Sequence, residues 1–166
     1  MLSGGALLKI TILCVGKIKE AFFRDAISEY AKRLSRYVKL EIIEVADEKT
    51  PDRAGPAEEA QIKDKEGKRL LTHMQDDAHI VALAIEGKAL SSTELAERID
   101  RLGVQGKSHI IFVIGGSLGL SEEVLARANE KLSFSAMTFP HQLMRVILLE
   151  QIYRSCRINA GEPYHK

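Results

Sequence analysis

The sequence is short of cysteine and net charge, and each shortage excludes a class of protein. Among 166 residues there are only two cysteines, Cys14 and Cys156, both in apolar segments and without a CxxC partner. We therefore expect buried thiols in a reducing compartment, with neither a disulfide framework nor a metal-ligand set. The formal net charge is +1. The large positive field that would hold free nucleic acid is thus absent, although a basic patch on one side is compatible with this value.

Long apolar runs are also missing. No stretch approaches the ~20 apolar residues that a membrane-spanning helix needs. The N-terminal segment MLSGGALLKITILCVGK is interrupted by Lys9 and lacks a small-residue cleavage site, so it is not typical of a secretory signal. We expect a cytoplasmic protein with no membrane association.

What the sequence does contain is an alternation of short apolar runs and amphipathic stretches. Four runs predict strands: LKITILCVG, LEIIEVA, HIVALAIEG ending at Gly87, and HIIFVIGG. Between them, patterning predicts helices near residues 19–36 (with apolar positions from Phe22 to Leu34), 57–75 and 91–106, and DEKTPDRAGP predicts a loop. Strands separated by helices of this length predict a single α/β domain with a mostly parallel sheet covered on both faces.

The segment IIFVIGGSLGLSEEV (residues 110–124) leads from a strand through a glycine turn into a helix, where α/β proteins often bind a ligand. Gly115, Gly116 and Gly119 do not form a dinucleotide fingerprint, and no Gly-Lys-Ser/Thr sequence closes a Walker loop. The glycines either merely permit a tight turn or form a pocket together with LSFSAMTFPHQLMR. Backbone groups and apolar walls of that kind suit an uncharged ring such as adenine.

The last helix is predicted from Pro140 to about Ile158 and is apolar on almost every side. Such a helix needs cover all round, and a second copy of this small chain would supply it, which predicts a homodimer. Glu150, Arg154 and Arg157 fall within one narrow sector. They form either an ordinary surface ion pair of Glu150 with Arg154 or a site at the dimer seam. In that site the arginines would meet RNA phosphates and Glu150 would orient them.

The chain ends in the cluster Tyr164, His165 and Lys166. Chain termini are usually frayed. An aromatic residue beside cations is equally typical of an arm that binds nucleotides, and the residues alone leave both interpretations open.

Three fragments in order, VIGGSLGLS, LSFSAMTFPHQLMRVILLEQIYR and the terminal GEPYHK, make the chain resemble the RlmH family of SPOUT methyltransferases. The resemblance covers residues 9–166, the expected methyltransferase domain, and leaves residues 1–8 as an extension expected to have no function. Members methylate N3 of a pseudouridine in 23S ribosomal RNA, using S-adenosylmethionine. The resemblance implies a homodimer and a C-terminal trefoil knot, a topology that pattern analysis would not propose.

The resemblance also implies the site residues, and no metal is expected among them. The expected S-adenosylmethionine contacts are Leu83, Gly115, Gly116, Phe134, Ser135, Ala136, Met137, Thr138 and Phe139. The expected catalytic residues are Arg154, Glu150, His165 and Tyr164, and the expected RNA contacts are Arg157, Lys166 and His141.

The chemistry indicates roles for these residues. The pseudouridine N3 carries a proton, so methylation needs a base or a cation that stabilises the imide anion. Arg154 is expected to stabilise charge on O2 or O4, and Glu150 or His165 to receive the proton. The tail of one subunit, Tyr164 and His165, is expected to complete a site whose methyl donor lies on the other subunit.

The low net charge favours the assembled ribosome over free RNA as the substrate, because phosphate neutralisation dominates the binding of free RNA. Two alternatives compete with this function. One is a ribosome-associated factor that keeps the fold without catalysis. The other is a flavodoxin-like small-molecule enzyme that binds a nucleotide at the glycine turn.

Overall fold

The computed structural model describes residues 7–164, in which strands and helices alternate without exception. The strands are β1 (Leu8–Val15), β2 (Val38–Val45), β3 (His79–Ala89), β4 (His109–Ile114) and β5 (Glu130–Ser133). The helices are α1 (Ala21–Leu34), α2 (Pro56–Leu71), α3 (Ser92–Val104), α4 (Glu122–Arg127) and α5 (His141–Asn159). The four predicted strands, the helices between them and the last helix are confirmed, and β1 begins one residue before the predicted domain boundary.

All strand pairs are parallel, and the sheet order is β2-β1-β4-β3-β5. The central strand β4 sends Ile110, Phe112 and Ile114 into one core and Ile111 and Val113 into the other. A parallel strand covered on both faces is an uninterrupted apolar run, as the segment HIIFVI is. The predicted α/β fold with a mostly parallel sheet is confirmed, whereas the trefoil knot stays a prediction from the resemblance.

The strand order also decides against one alternative. Flavodoxin-like proteins have the order 2-1-3-4-5, whereas β4 lies between β1 and β3 in this sheet. The flavodoxin-like alternative is therefore wrong.

Helices α1, α3 and α5 cover one face of the sheet, and α2 and α4 cover the other. On α1, Leu34 is fully buried, but Phe22 is 64% exposed. The apolar positions predicted along this helix therefore do not all face the core.

Helix α5 contains no exposed residue before Asn159. It packs against α1 and α3, and Leu148, Leu149 and Ile152 are fully buried. The chain itself thus supplies much of the cover that the apolar pattern demands, and the homodimer stays a prediction. Within residues 7–164, no helix is long and apolar enough to cross a membrane.

Strand β3 continues past its predicted end at Gly87 to Ala89 because β5 pairs with it there. Leu132 of β5 pairs with both Leu83 and Lys88, so β3 is irregular between these two positions. A Cβ atom on Gly87 would lie 2.7–2.9 Å from backbone atoms of residues 131 and 132. Glycine is therefore required here by the close approach of β5.

We expect Gly87→Ala to lower the free energy of unfolding by about 2–3 kcal/mol, since the added methyl group has no space beside the β5 backbone. Urea denaturation of the two proteins measures this difference. Gly55→Ala is the matched control, because no atom lies within 4 Å of its Cβ position. A comparable loss in both variants would show that the approach of β5 is not the cause.

A second prediction concerns the thiols, of which Cys14 is buried and Cys156 half-buried. Burial raises the pKa of both thiols to about 12, so neither forms the reactive thiolate at about pH 8. We expect iodoacetamide to leave both cysteines unmodified in the folded protein and to label both in urea, as intact mass reports. Labelling of folded Cys156 at the rate of a free thiol would contradict this.

Candidate functional site

The predicted cofactor residues come together beside the ends of β4 and β5, where Leu83 of the neighbouring strand β3 also lies. Ala82 pairs with Val113, so Leu83 stands beside the end of β4, which Gly115 follows. Leu83 also pairs with Leu132, close to the end of β5. Residues 134–139 directly follow β5, and the parallel sheet therefore brings all three predicted segments to the same edge.

A cavity of about 350 Å³ lies beside this edge. Phe134, Phe139 and Ile147 contribute apolar walls, and Ser92 and Gln151 contribute polar groups. Phe134 and Phe139 are the predicted cofactor residues that line it. The volume and the mixture of aromatic walls with a few polar groups are typical of a small-molecule site and fit an aromatic ring.

Residues 134–139 form a hydrogen-bonded turn. The Met137 N–H donates to the Ser135 hydroxyl at 2.9 Å, and the Ser133 hydroxyl donates to the Ser135 carbonyl at 3.3 Å. The Met137 side chain is 75% exposed. The turn therefore offers backbone groups between its two phenylalanines.

The glycine turn is packed so tightly that it has little space for side chains at Gly115 and Gly116. A Cβ atom on Gly115 would lie 2.7 Å from the Gly119 backbone, and one on Gly116 would lie 3.1 Å from Oε1 of Glu66. Gly119 has φ +90°, a left-handed conformation that favours glycine. These glycines are required by the turn itself, whether or not a ligand contacts its backbone.

Glu66 lies under this turn and was missed by the sequence analysis. It is 4% exposed, and one carboxylate oxygen accepts from the Glu48 N–H at 2.9 Å. Burial is the main cause that raises the pKa of this carboxyl group. Glu66 belongs to the charged pattern of α2, which gave no signal that one glutamate points inward.

A second group of side chains gathers on α5 around the Glu150 carboxylate. Arg154 Nε donates to Glu150 Oε1 at 3.1 Å, and the Tyr164 hydroxyl donates to Oε2 at 3.0 Å. The Arg154 guanidinium carbon lies 4.7 Å from the Tyr164 ring centroid. Burial, followed by the hydrogen bond to Glu150, raises the pKa of Tyr164. The structure thus joins three of the four predicted catalytic residues, which we name the Glu150 cluster (Glu150, Arg154 and Tyr164).

The chain leading to Tyr164 is held in place. Arg157 pairs with Glu162 at 3.3 Å and donates to the Pro163 carbonyl at 3.3 Å, and the Tyr37 hydroxyl donates to Glu162 at 2.7 Å. These contacts favour an ordered arm over a frayed terminus as far as Tyr164. Arg157, predicted to share a sector with Arg154, is engaged with this arm. The predicted residues His165 and Lys166 lie outside the described part of the chain.

Gln151 links the Glu150 cluster to the cavity. Its Nε2 donates to Glu150 Oε1 at 3.1 Å, and its Oε1 accepts from the Ser92 hydroxyl at 2.7 Å. Neither Gln151 nor Ser92 was predicted from the sequence. Their contact joins α5 to α3 across 59 residues, and no local pattern reports such a distant pairing.

His141 lies apart from the Glu150 cluster. It begins α5, and its Cε1 lies 3.7 Å from the Cβ position of Gly16. Burial and then the nearby Arg145 charge lower the pKa of His141, which favours a neutral ring. Helical rise puts His141 about 20 Å from Arg154 along the axis, so the two residues do not serve the same atoms within one chain.

In the part of the chain that the structure describes, no group of three or more His, Cys, Asp or Glu side chains is arranged to hold a metal ion. The polar groups of the region are instead engaged with one another, as the Glu150 cluster shows.

Comparison with known proteins agrees with this arrangement. The family model described as "Predicted SPOUT methyltransferase" matches residues 8–165. Proteins named "Ribosomal RNA large subunit methyltransferase H" are 64% identical in Bifidobacterium adolescentis and Clostridium novyi and 58% identical in Bacillus pumilus. Each alignment spans 159 residues, 96% of this chain and 100% of the relative.

A solved structure shares the fold. It is that of a probable methylase family protein from Haemophilus influenzae, with TM-score 0.53 and 12% identity over 95% of this chain and 70% of that one. The resemblance inferred from three sequence fragments is confirmed, and the alternative of a non-catalytic ribosome factor is not favoured. The chain belongs to the SPOUT methyltransferase family, in the group of the ribosomal RNA large subunit methyltransferases H.

Proposed function

We propose that the chain transfers a methyl group from S-adenosylmethionine to N3 of a pseudouridine in 23S ribosomal RNA, on the assembled ribosome in the cytoplasm. The observation that carries this proposal is the Glu150 cluster. It sets a cation, a carboxylate and a phenol next to one another, a short hydrogen-bonded step from a cavity. The names of the relatives support the substrate, since they specify large-subunit ribosomal RNA.

The cavity would hold the methyl donor. Phe134 and Phe139 offer aromatic and apolar contact for the adenine ring, and the backbone of residues 134–139 offers polar groups. Leu83, Gly115 and Gly116 adjoin this region through the neighbouring strand ends. When bound, the donor supplies an electrophilic methyl group on a sulfonium sulfur.

The Glu150 cluster would act on the acceptor base. The Arg154 guanidinium stabilises the negative charge that O2 or O4 gains as the N3 proton leaves. Glu150 or His165 receives that proton, directly or through water, while N3 forms its bond to the methyl carbon and the sulfur–methyl bond breaks. Tyr164 donates to Glu150 and lies against Arg154, so its part is to hold both groups in place.

A homodimer would bring donor and acceptor together. Ile147 and Gln151 line the cavity, whereas Glu150 and Arg154 of the same helix do not. We infer that Tyr164 and His165 of one subunit complete a site whose methyl donor lies on the partner subunit.

The proposed RNA contacts are Arg157, Lys166 and His141. Arg157 also anchors the arm that carries Tyr164. A substitution of Arg157 would therefore affect both the proposed RNA contact and the position of this arm. His141, with its lowered pKa, would act as a neutral hydrogen-bonding group and not as a phosphate-binding cation.

The proposed function predicts transfer of radiolabelled methyl from S-adenosylmethionine to hypomethylated ribosomes, located at one pseudouridine, and much less transfer to free 23S RNA. Arg154→Ala should lower kcat at least about 100-fold, because a charge-stabilising donor is lost, while binding of the donor measured by calorimetry stays within about twofold. Transfer by Arg154→Ala at the parent rate would remove its assigned role. Absence of label from every substrate would overturn the proposed function.

The shared site predicts complementation between two inactive variants. Phe134→Asp disables the donor cavity, and Arg154→Ala disables the Glu150 cluster. Mixed after co-refolding, they should recover about a quarter of parent activity, since half of the dimers are mixed and each holds one intact site. Each variant alone stays inactive. No recovery in mixtures whose heterodimers are confirmed by mass spectrometry would place both groups of one chain in the same site.

A further inference from the structure

Gln151 has no role in the function proposed above, yet it connects the cavity wall to the Glu150 cluster. Its carboxamide bridges two side chains, with the Ser92 hydroxyl at 2.7 Å on one end and Glu150 Oε1 at 3.1 Å on the other. The Gln151 side chain belongs to the cavity lining. It therefore lies between the cavity of its own chain and the proposed proton acceptor.

The direction of the carboxamide follows from chemistry. An ionised carboxylate only accepts hydrogen bonds, so Glu150 requires the Nε2 end of Gln151. The Oε1 end then turns to Ser92, whose hydroxyl supplies a donor. Ser92 thus fixes which end of Gln151 faces Glu150.

Ser92 is itself held on a rigid element. It is the first residue of α3, directly after the N-cap Ser91. The Ser91 hydroxyl accepts from the Glu94 N–H at 3.1 Å, and the Glu94 carboxylate accepts from the Ser91 N–H at 2.8 Å. This reciprocal capping box holds the start of α3, and Ser92 is an anchored donor for that reason.

Gln151 adds a third donor to the Glu150 carboxylate. Arg154 Nε and Gln151 Nε2 both donate to Oε1, and the Tyr164 hydroxyl donates to Oε2. Arg154 reaches the carboxylate from the next turn of α5, and Tyr164 reaches it from the terminal arm. Gln151 connects the carboxylate to α3 through its hydrogen bond with Ser92. The carboxylate is thereby fixed from three separate directions.

We propose that Gln151 is a positioning residue: its carboxamide, oriented by Ser92, holds the Glu150 carboxylate in the rotamer from which it orients Arg154 and receives the substrate proton. The proposal rests on the proposed function, which assigns those roles to Glu150 and Arg154. Both ends of the Gln151 carboxamide are engaged within the chain, by Ser92 and by Glu150. We therefore expect its effect on the rate of the chemical step, measured with the donor at saturation.

Gln151→Leu keeps the size of the side chain and removes the bridge. We expect kcat for methyl transfer at saturating donor to fall about tenfold, as for loss of a hydrogen bond to a charged group, with KM for ribosomes within about twofold. Ser92→Ala should lower kcat about threefold, because Gln151 can then turn its carboxamide, and Ser92→Thr, which keeps the hydroxyl, should lower kcat less than Ser92→Ala does. The double variant Ser92→Ala/Gln151→Leu should match Gln151→Leu alone.

Gln61→Leu is the matched control, because Gln61 is exposed on α2 and should leave every parameter unchanged. An unchanged kcat in Gln151→Leu would overturn the proposal. So would a loss that appears only in KM or in thermal stability, or additive losses in the double variant.

A measurement that does not depend on methyl transfer distinguishes this proposal from the proposed function. In a ¹⁵N NMR spectrum, the side-chain amide protons of Gln151 should exchange slowly with solvent and should lose that protection in Ser92→Ala but not in Ser92→Thr. If the parent protein transfers no methyl group to any ribosomal substrate, the proposed function fails, and the amide signal still decides whether Ser92 and Gln151 hold Glu150. Fast exchange of this amide in the parent protein would contradict the bridge itself.

Discussion

The buried guanidinium of Arg145 is the contact on which the placement of α5 depends. The residue is 1% exposed and donates to the Glu44 carboxylate of β2 at 2.5 Å and to the Gly16 carbonyl after β1 at 3.2 Å. Removing one partner of such a pair is costly because the other charge stays desolvated. The start of α5 is thereby tied to the ends of two neighbouring strands. Gln151 at the cavity and Glu150 beside it take their positions along the helix from this contact.

The fold was predictable where a local pattern and the final packing agree. The unbroken apolar run of β4 predicts burial on both faces, and both cores receive its side chains. The prediction was wrong at Gly87, because β5 pairs with β3 beyond that glycine and the pairing depends on residues more than 40 positions away. Phe22 shows the opposite case, since its spacing fits the apolar face of α1 and yet the ring is 64% exposed. Periodicity assigns a face, but only the tertiary arrangement decides how far that face is covered.

The candidate site was predictable along one helix and not across elements. Spacing on α5 places Glu150 one turn before Arg154, and the structure pairs them. The same spacing grouped Arg157 with them, whereas Arg157 pairs with Glu162 of the terminal arm. Ser92 and Glu66 gave no signal, because their importance comes from a hydrogen bond to α5 and from burial beneath the glycine turn. The residues alone marked Tyr164 as part of an aromatic and basic cluster but left its role open, and its contact with Glu150 gives the role expected from the family resemblance a physical basis.

The low net charge of the chain goes together with local pairing of opposite charges on α5. The arginines of α5 each lie beside a carboxylate: Arg145 beside Glu44, Arg154 beside Glu150 and Arg157 beside Glu162. A phosphate or an imide anion that approaches Arg154 or Arg157 competes with a carboxylate already in place, so long-range attraction contributes little. Under the proposed function, RNA must then be bound by close surface fit, so that a phosphate can replace the carboxylate beside an arginine. An assembled ribosome presents its RNA in a fixed shape and can supply that fit, whereas free RNA must first be ordered at an entropic cost.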